Sequence, residues 1–269
     1  MNKNQLLTTF AFLAFAVLFM PQLKAQIIHN QVWSSQWTPN VTLDTSGFDS
    51  ITMPVTPQRF GTATFADLDN DGDKDLISGS NRGQLFTYEN VGTATNPHFQ
   101  ASNKFPSLDT IKIGVLQNTN EIRPVFADLD ADGDLALIVG SRWNYIGLHK
   151  LDDIHYFENT GTVSNPTFVS TPLPGTAFQQ VGEFCGMAFG DLDNDGDLDF
   201  VAGGSDSCTY FLNVGTATNP SFQRDFTFFK PWVEVSFLAP TPDLEDFDGD
   251  GDLDMYFMNE AGFIRYIPN

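Results

Sequence analysis

Nineteen of the 34 acidic residues in this 269-residue chain fall in four short loops. They read Asp67-Leu-Asp69-Asn-Asp71-Gly72-Asp73-Lys-Asp75, Asp128-Leu-Asp130-Ala-Asp132-Gly133-Asp134-Leu-Ala136, Asp191-Leu-Asp193-Asn-Asp195-Gly196-Asp197-Leu-Asp199 and Asp246-Phe-Asp248-Gly-Asp250-Gly251-Asp252-Leu-Asp254. Carboxylates at loop positions one, three and five wrap a hard cation in oxygen ligands. Glycine at position six permits the sharp turn that brings a later backbone carbonyl and position nine onto the same ion. Without a cation, so many carboxylates in nine residues repel one another strongly.

The elements that must position these loops recur with them. Their first residues are 61, 63 and 55 apart, which makes each loop part of a structural repeat of roughly 60 residues. Phe65-Ala66, Phe126-Ala127 and Phe189-Gly190 lead into the first three loops, and Leu76–Gly79, Leu137–Gly140 and Phe200–Gly203 lead out. A third strand-like run follows at Leu85–Tyr88, Ile154–Phe157 and Cys208–Leu212, ending at Asn90, Asn159 or Asn213, each followed by x-Gly-Thr. Then come Asn96-Pro97-x-Phe99, Asn165-Pro166-x-Phe168 and Asn219-Pro220-x-Phe222. Asn, Gly and Pro punctuate turns, and each Phe opens a fourth, outer strand. Four short antiparallel strands per repeat describe a propeller blade, and helical periodicity is absent. The expected fold is all-β, a β-propeller of about four four-stranded blades.

The Asp-x-Asp-x-Asp-Gly-x-x-Asp loop, set between Phe-Ala-Asp and Leu-Ile-x-Gly, resembles the FG-GAP/VCBS repeats. These are the calcium-bearing blades of integrin α-subunit propellers and of many exported bacterial proteins. The resemblance covers about Phe65 to Asn269, with a weaker lead-in from Gln26. An EF-hand does not fit. Its loop needs a bidentate Glu at position twelve, and those positions are Ser78, Val139, Ala202 and Phe257.

That resemblance, with carboxylate chemistry, implies calcium as the cofactor. The side-chain ligands would be Asp67, Asp69, Asp71 and Asp75 in loop one (67–75), with Asp73 giving its carbonyl. Loop three (191–199) offers Asp191, Asp193, Asp195 and Asp199, and loop four (246–254) offers Asp246, Asp248, Asp250 and Asp254, with Asp197 and Asp252 at position seven. Loop two (128–136) supplies Asp128, Asp130, Asp132 and Asp134, but Ala136 stands where the ninth-position aspartate belongs. The expectation there is weak binding, or water alone.

Residues 1–25 read as a secretory signal peptide, with a basic start at Lys3, an apolar run from Leu6 to Met20, and a small residue at Ala25. The run is 15 residues long, short of the about 20 that a spanning helix needs. Export predicts a secreted or cell-surface protein over 26–269, with no membrane span after signal removal. In an oxidising compartment Cys185 and Cys208 either form a disulfide or pack as small hydrophobes. The formal net charge of −21 is concentrated in the loops, and no basic stripe is present, so no nucleic-acid partner is expected.

In the second repeat the connection opposite the acidic loop is enlarged. Gly140 and Phe157 are 17 residues apart, against 9 for Gly79 to Tyr88 and 8 for Gly203 to Phe211. The extra length carries Trp143, Tyr145, His149 and Lys150, and aromatic faces with polar tips suit sugar rings or peptide side chains. Trp143 and Tyr145 are therefore the candidate ligand contacts, set against packing on a neighbouring blade. A second cluster, Phe226, Phe228, Phe229 and Trp232, reads as blade packing.

The function this implies is a binding or adhesion module for a glycan or a protein. Rival readings are a propeller-type polysaccharide lyase or hydrolase, or a structural spacer of a larger exported protein. Neither HExxH nor a G-x-S-x-G elbow occurs, and His29, His98, His149 and His155 show no recurrent spacing, so no enzyme is expected. Two architectures stay open: a closed four-blade ring, or a partial arc of a larger, seven-bladed propeller.

Overall fold

A computed structural model of the chain describes residues 62–113, 121–142, 145–146, 149–150, 154–172, 186–204, 208–225, 241–258 and 264–269. Residues 1–25, the lead-in before Thr62, Trp143, Cys185 and the aromatic cluster at 226–232 lie outside them. All the described residues belong to one unit, Leu43–Asn269.

The β-rich, turn-punctuated repeats fold as four successive blades of a β-propeller. The first is β1 (Thr62–Ala66), β2 (Asp75–Gly79), β3 (Leu85–Asn90) and β4 (Phe99–Ala101), hydrogen-bonded in that order. The second is β5 (Glu121–Ala127), β6 (Ala136–Arg142), β9 (Ile154–Asn159) and β10 (Phe168–Thr171). The third is β11 (Gly186–Gly190), β12 (Asp199–Gly203), β13 (Cys208–Asn213) and β14 (Phe222–Asp225). The fourth has three strands among the described residues, β15 (Thr241–Glu245), β16 (Asp254–Met258) and β17 (Ile264–Ile267).

Every pairing within a blade is antiparallel. The acidic loops therefore join first and second strands at one end of the blades, and the second-to-third connections lie at the other. The enlarged connection of blade two folds into its own two-stranded hairpin, β7 (Tyr145–Ile146) and β8 (His149–Lys150), with Tyr145 opposite Lys150.

The outer strands begin at the Phe of each Asn-Pro-x-Phe, and the turn before them is built alike three times. Asn90 Oδ1 accepts the N–H groups of Gly92 and His98, Asn159 Oδ1 those of Gly161 and Thr167, and Asn213 Oδ1 those of Gly215 and Ser221. Each of these Asn side chains is buried, so the amide replaces backbone bonds that water would otherwise supply. A Cβ on Gly92 would come 2.4 Å from the Asn96 carbonyl oxygen, which explains the glycine two residues after each Asn.

Three apolar clusters hold neighbouring blades together. Leu68, Ile77 and Leu85 pack with Ile122, Leu137 and Phe157 between blades one and two. Leu129, Ile138 and Tyr156 meet Met187, Phe200 and Phe211 between two and three, and Leu192, Val201 and Tyr210 meet Leu244, Met255 and Phe257 between three and four. The second residue of loops one to three is thus a core residue (Leu68, Leu129, Leu192) that anchors the loop to the next blade's packing. The connection after β4 contributes too: a short helix, α1 (Pro106–Asp109), buries Leu108 beside Phe105, Ile111 and Ile113 in the first cluster. At the inner strands, Thr62 Oγ1 donates to the Ile122 carbonyl (2.9 Å) and Arg123 Nη1 to Thr241 Oγ1 (2.8 Å), the latter joining blades two and four.

Candidate metal centre

Each loop folds around its first aspartate. Asp67 accepts the N–H groups of Asp71 and Gly72 at 3.2 and 3.0 Å, and Asp191 those of Asp195 and Gly196, both at 3.0 Å. Asp128 and Asp246 receive the position-six glycines Gly133 and Gly251 at 3.1 and 3.2 Å. The position-six glycines have φ of 94, 94, 96 and 103°, a region that costs little only for glycine. Position four is also left-handed, in Asn70, Ala131, Asn194 and Gly249, with φ of 58, 53, 60 and 79°.

This path brings carboxylates together. Ligand oxygens of Asp67, Asp69 and Asp71 lie within 4.8 Å of one another, as do those of Asp128, Asp130 and Asp132, of Asp191, Asp193 and Asp199, and of Asp246, Asp248 and Asp250. Asp195 lies outside that grouping in loop three, and Asp195 Oδ1 accepts the Asp197 N–H (3.1 Å).

The ninth-position aspartates take a place that the sequence did not disclose. Asp75 is buried; one oxygen accepts the Leu68 N–H (3.4 Å) and the other the Asn90 N–H (2.9 Å). Asp199 does the same for Leu192 and Asn213, at 3.0 and 2.8 Å, and Asp254 for Phe247 and Asn269, at 2.9 and 3.0 Å. The hydroxyls of Tyr210 and Tyr266 add bonds to Asp199 and Asp254. The carboxylate thus clasps the start of its loop to the end of the third strand. The recurrent Asp-to-Asn interval was the signal for this, since Asp75 and Asn90 recur as Asp199 and Asn213. Ala136 leaves blade two without the clasp's carboxylate.

Burial and mutual repulsion make the loops costly when metal-free. Burial lifts Asp75 to about 6 against the opposing Asn90 and Leu68 N–H bonds. Burial, then the charge of Asp195, lifts Asp197 to about 6. Burial first and neighbouring loop carboxylates second raise Asp73, Asp130, Asp134 and Asp193.

The donor set fits calcium. An ionised carboxylate can only accept, and each loop keeps a buried carboxylate oxygen with no hydrogen-bond partner. These are Asp69 Oδ1 and Asp73 Oδ1, Asp128 Oδ1, Asp197 Oδ1 and Asp252 Oδ1. Clustered, desolvated, all-oxygen acceptors match a hard cation and offer nothing to a soft one. When bound, calcium would supply positive charge and coordination, not redox chemistry.

Of the two candidate ligand contacts, Tyr145 lies on β7 at the far end of blade two from its acidic loop, and Trp143 precedes it outside the described residues. Cys208, on β13, is packed against the cluster between blades three and four, and burial pushes its thiol up to about 12.

The FG-GAP-like repeat family model matches residues 67–139, 128–202 and 191–257. Each match starts on the first aspartate of one loop and runs through the next loop into the strand beyond it. The chain belongs to the FG-GAP-like repeat family. No curated protein matches the sequence. Among solved structures, this FG-GAP-like chain is similar to one from a study of the recognition of non-reducing terminal N-acetylglucosamine by an Agrocybe aegerita lectin. The likeness has a TM-score of 0.45 at 16% identity and covers 78% of this chain and 50% of that one. The FG-GAP-like chain therefore spans half the length of that lectin chain.

Proposed function

We propose that this chain is a secreted, calcium-stabilised β-propeller that serves as a binding or adhesion module for a glycan or a protein, and is not an enzyme. The observation that carries the calcium reading is the gathering of three carboxylates within 4.8 Å in each of the four loops, with the ligand oxygens Asp69 Oδ1 and Asp128 Oδ1 buried and donor-less. Removing such acceptors from water without a partner is unfavourable, and a bound cation offsets that cost. The ligands would be the carboxylates of positions one, three, five and nine, with the carbonyl of position seven, and loop two would bind most weakly. Secretion rests on the 1–25 leader pattern, and extracellular calcium suits modules whose dissociation constants lie at about 10⁻⁴ to 10⁻³ M.

Recognition follows from the family, whose repeats commonly serve that role, and from the division of the blades into two ends. The acidic loops occupy one end. At the other, blade two presents the extra β7–β8 hairpin, and loops or hairpins added to a rigid scaffold tend to carry binding. Trp143 and Tyr145 are the residues proposed to touch the partner.

A glycan-array screen in calcium, with a polysaccharide lyase and hydrolase assay on the same sample, tests the reading. Specific glycan binding, lost in a folded Trp143→Ala, Tyr145→Ala double variant, is the expected result. Wild-type binding by that variant moves the site elsewhere. Turnover would establish the enzyme reading instead, and the absence of any glycan or protein binding would favour a spacer.

A further inference from the structure

Among the described residues, loop one has a lysine set against one of its carboxylates. The Lys104 ammonium is paired with Asp69 Oδ2 and donates to Glu89 Oε1 at 2.8 Å. Ser102 Oγ holds the other Glu89 oxygen at 3.1 Å, so the lysine is fixed from two sides. The Asp69 side chain is 7% exposed, and its second oxygen, Oδ1, has no partner. Lys104 stands five residues after Phe99, the residue that opens the outer strand. The same step from Phe168 and Phe222 reaches Leu173 and Thr227, which are uncharged.

We propose that Lys104 is an internal counter-ion of loop one that holds the loop closed without calcium and weakens that loop's calcium affinity. The inference rests on the calcium reading above. Metal-free, the ammonium offsets part of the repulsion among Asp67, Asp69 and Asp71. With calcium on the free Asp69 oxygen, a dication and an ammonium about 5 Å apart repel enough, even at the dielectric of water, to lower affinity by roughly tenfold. Glu89 offsets part of this, which brings the expected effect to about three- to tenfold. Because Lys104 is partly exposed, added salt should shrink the difference.

Calcium titration calorimetry and thermal unfolding in chelator, on the wild type, Lys104→Met, Lys104→Gln and Lys104→Arg, test this. Each is repeated in an Asp67→Asn background, which disables loop one. The Met and Gln variants should tighten one site by about three- to tenfold and lower the unfolding midpoint in chelator, while Arg should behave as wild type. In the Asp67→Asn background the affinity gain should vanish. Calcium uptake unchanged by Lys104→Met and Lys104→Gln overturns the inference, and weaker uptake would make Lys104 a residue that positions Asp69 rather than a competitor. A wild type that takes up no calcium brings down the calcium reading itself, and this inference with it.

Discussion

Ala131 carries a backbone conformation that its side chain resists. Position four of each acidic loop is left-handed, and Asn70, Asn194 and Gly249 are residue types that tolerate it, whereas Ala131 has φ of 53° with a bare methyl. Ala131→Asn or Ala131→Gly should therefore stabilise the protein by about 1 kcal/mol, read by urea unfolding. An unchanged or lower midpoint for both would mean that the strain is not there. A second residue-scale outcome concerns pH. Asp75 and Asp197 are lifted to about 6 in the folded, metal-free loops, against about 3.9 in an unfolded chain. The folded state thus holds more protons between those values, so metal-free stability is greatest at low pH and falls as pH rises through about 6. In chelator the midpoint should be higher at pH 5 than at pH 7.5. With saturating calcium the order should reverse, because ligation requires ionised carboxylates. A metal-free midpoint that is flat or rises over this range contradicts the assignment. The acidic pattern and Gly72 were legible in the sequence because they are side-chain identities at fixed spacing. The left-handed position four was not, since Asn, Ala and Gly share no single sequence signal.

At the scale of elements, the turns and strand starts were readable and their internal wiring was not. Asn, Gly and Pro marked where β3, β9 and β13 end, and Phe99, Phe168 and Phe222 marked the outer strands where they begin. What the Asn amide does became visible only once Gly92 and His98 were seen pointing their N–H groups at it. The helix α1 escaped for a different reason: four residues are too few for a helical period. The clasp between loop and third strand yields a prediction for blade two. In blades three and four the ninth-position carboxylate meets two backbone N–H groups and a tyrosine hydroxyl. Blade two keeps the matching Leu129, Asn159 and Tyr156 and lacks only the carboxylate, at Ala136. Ala136→Asp should therefore be accepted by the fold and should raise the number or affinity of bound calcium ions in calorimetry. In chelator at pH 7.5 the gain should be small, because burying the new carboxylate opposes the bonds it makes. A folded variant with the wild-type calcium isotherm would place the limit in the loop-two backbone, with Ala131 the first suspect.

Across the whole set of blades, calcium and packing should act as one cooperative system. Leu68, Leu129 and Leu192 tie each of the first three loops into the cluster beneath the next blade. Asn269, clasped through its backbone N–H to Asp254, donates from its side-chain amide to the Leu192 carbonyl of loop three. An ion that rigidifies a loop is therefore coupled to the interface beside it, so its loss should loosen several blades together rather than fray one. A site with a dissociation constant of about 10⁻⁴ M in about 1 mM calcium adds roughly 1.4 kcal/mol to folding. Loops one, three and four together would add about 4 kcal/mol, a sizeable part of the usual 5–15 kcal/mol for a domain. At about 2–4 °C per kcal/mol, thermal unfolding should shift up by roughly 10 °C between excess chelator and 1 mM calcium, in a single transition. Magnesium at the same concentration should give a smaller shift, because it dehydrates reluctantly and demands octahedral geometry. Two separated transitions on chelation would show that loops stabilise blades singly. An unchanged midpoint would sink the structural role of calcium, leaving the paired carboxylates to be explained by lysine and backbone donors alone.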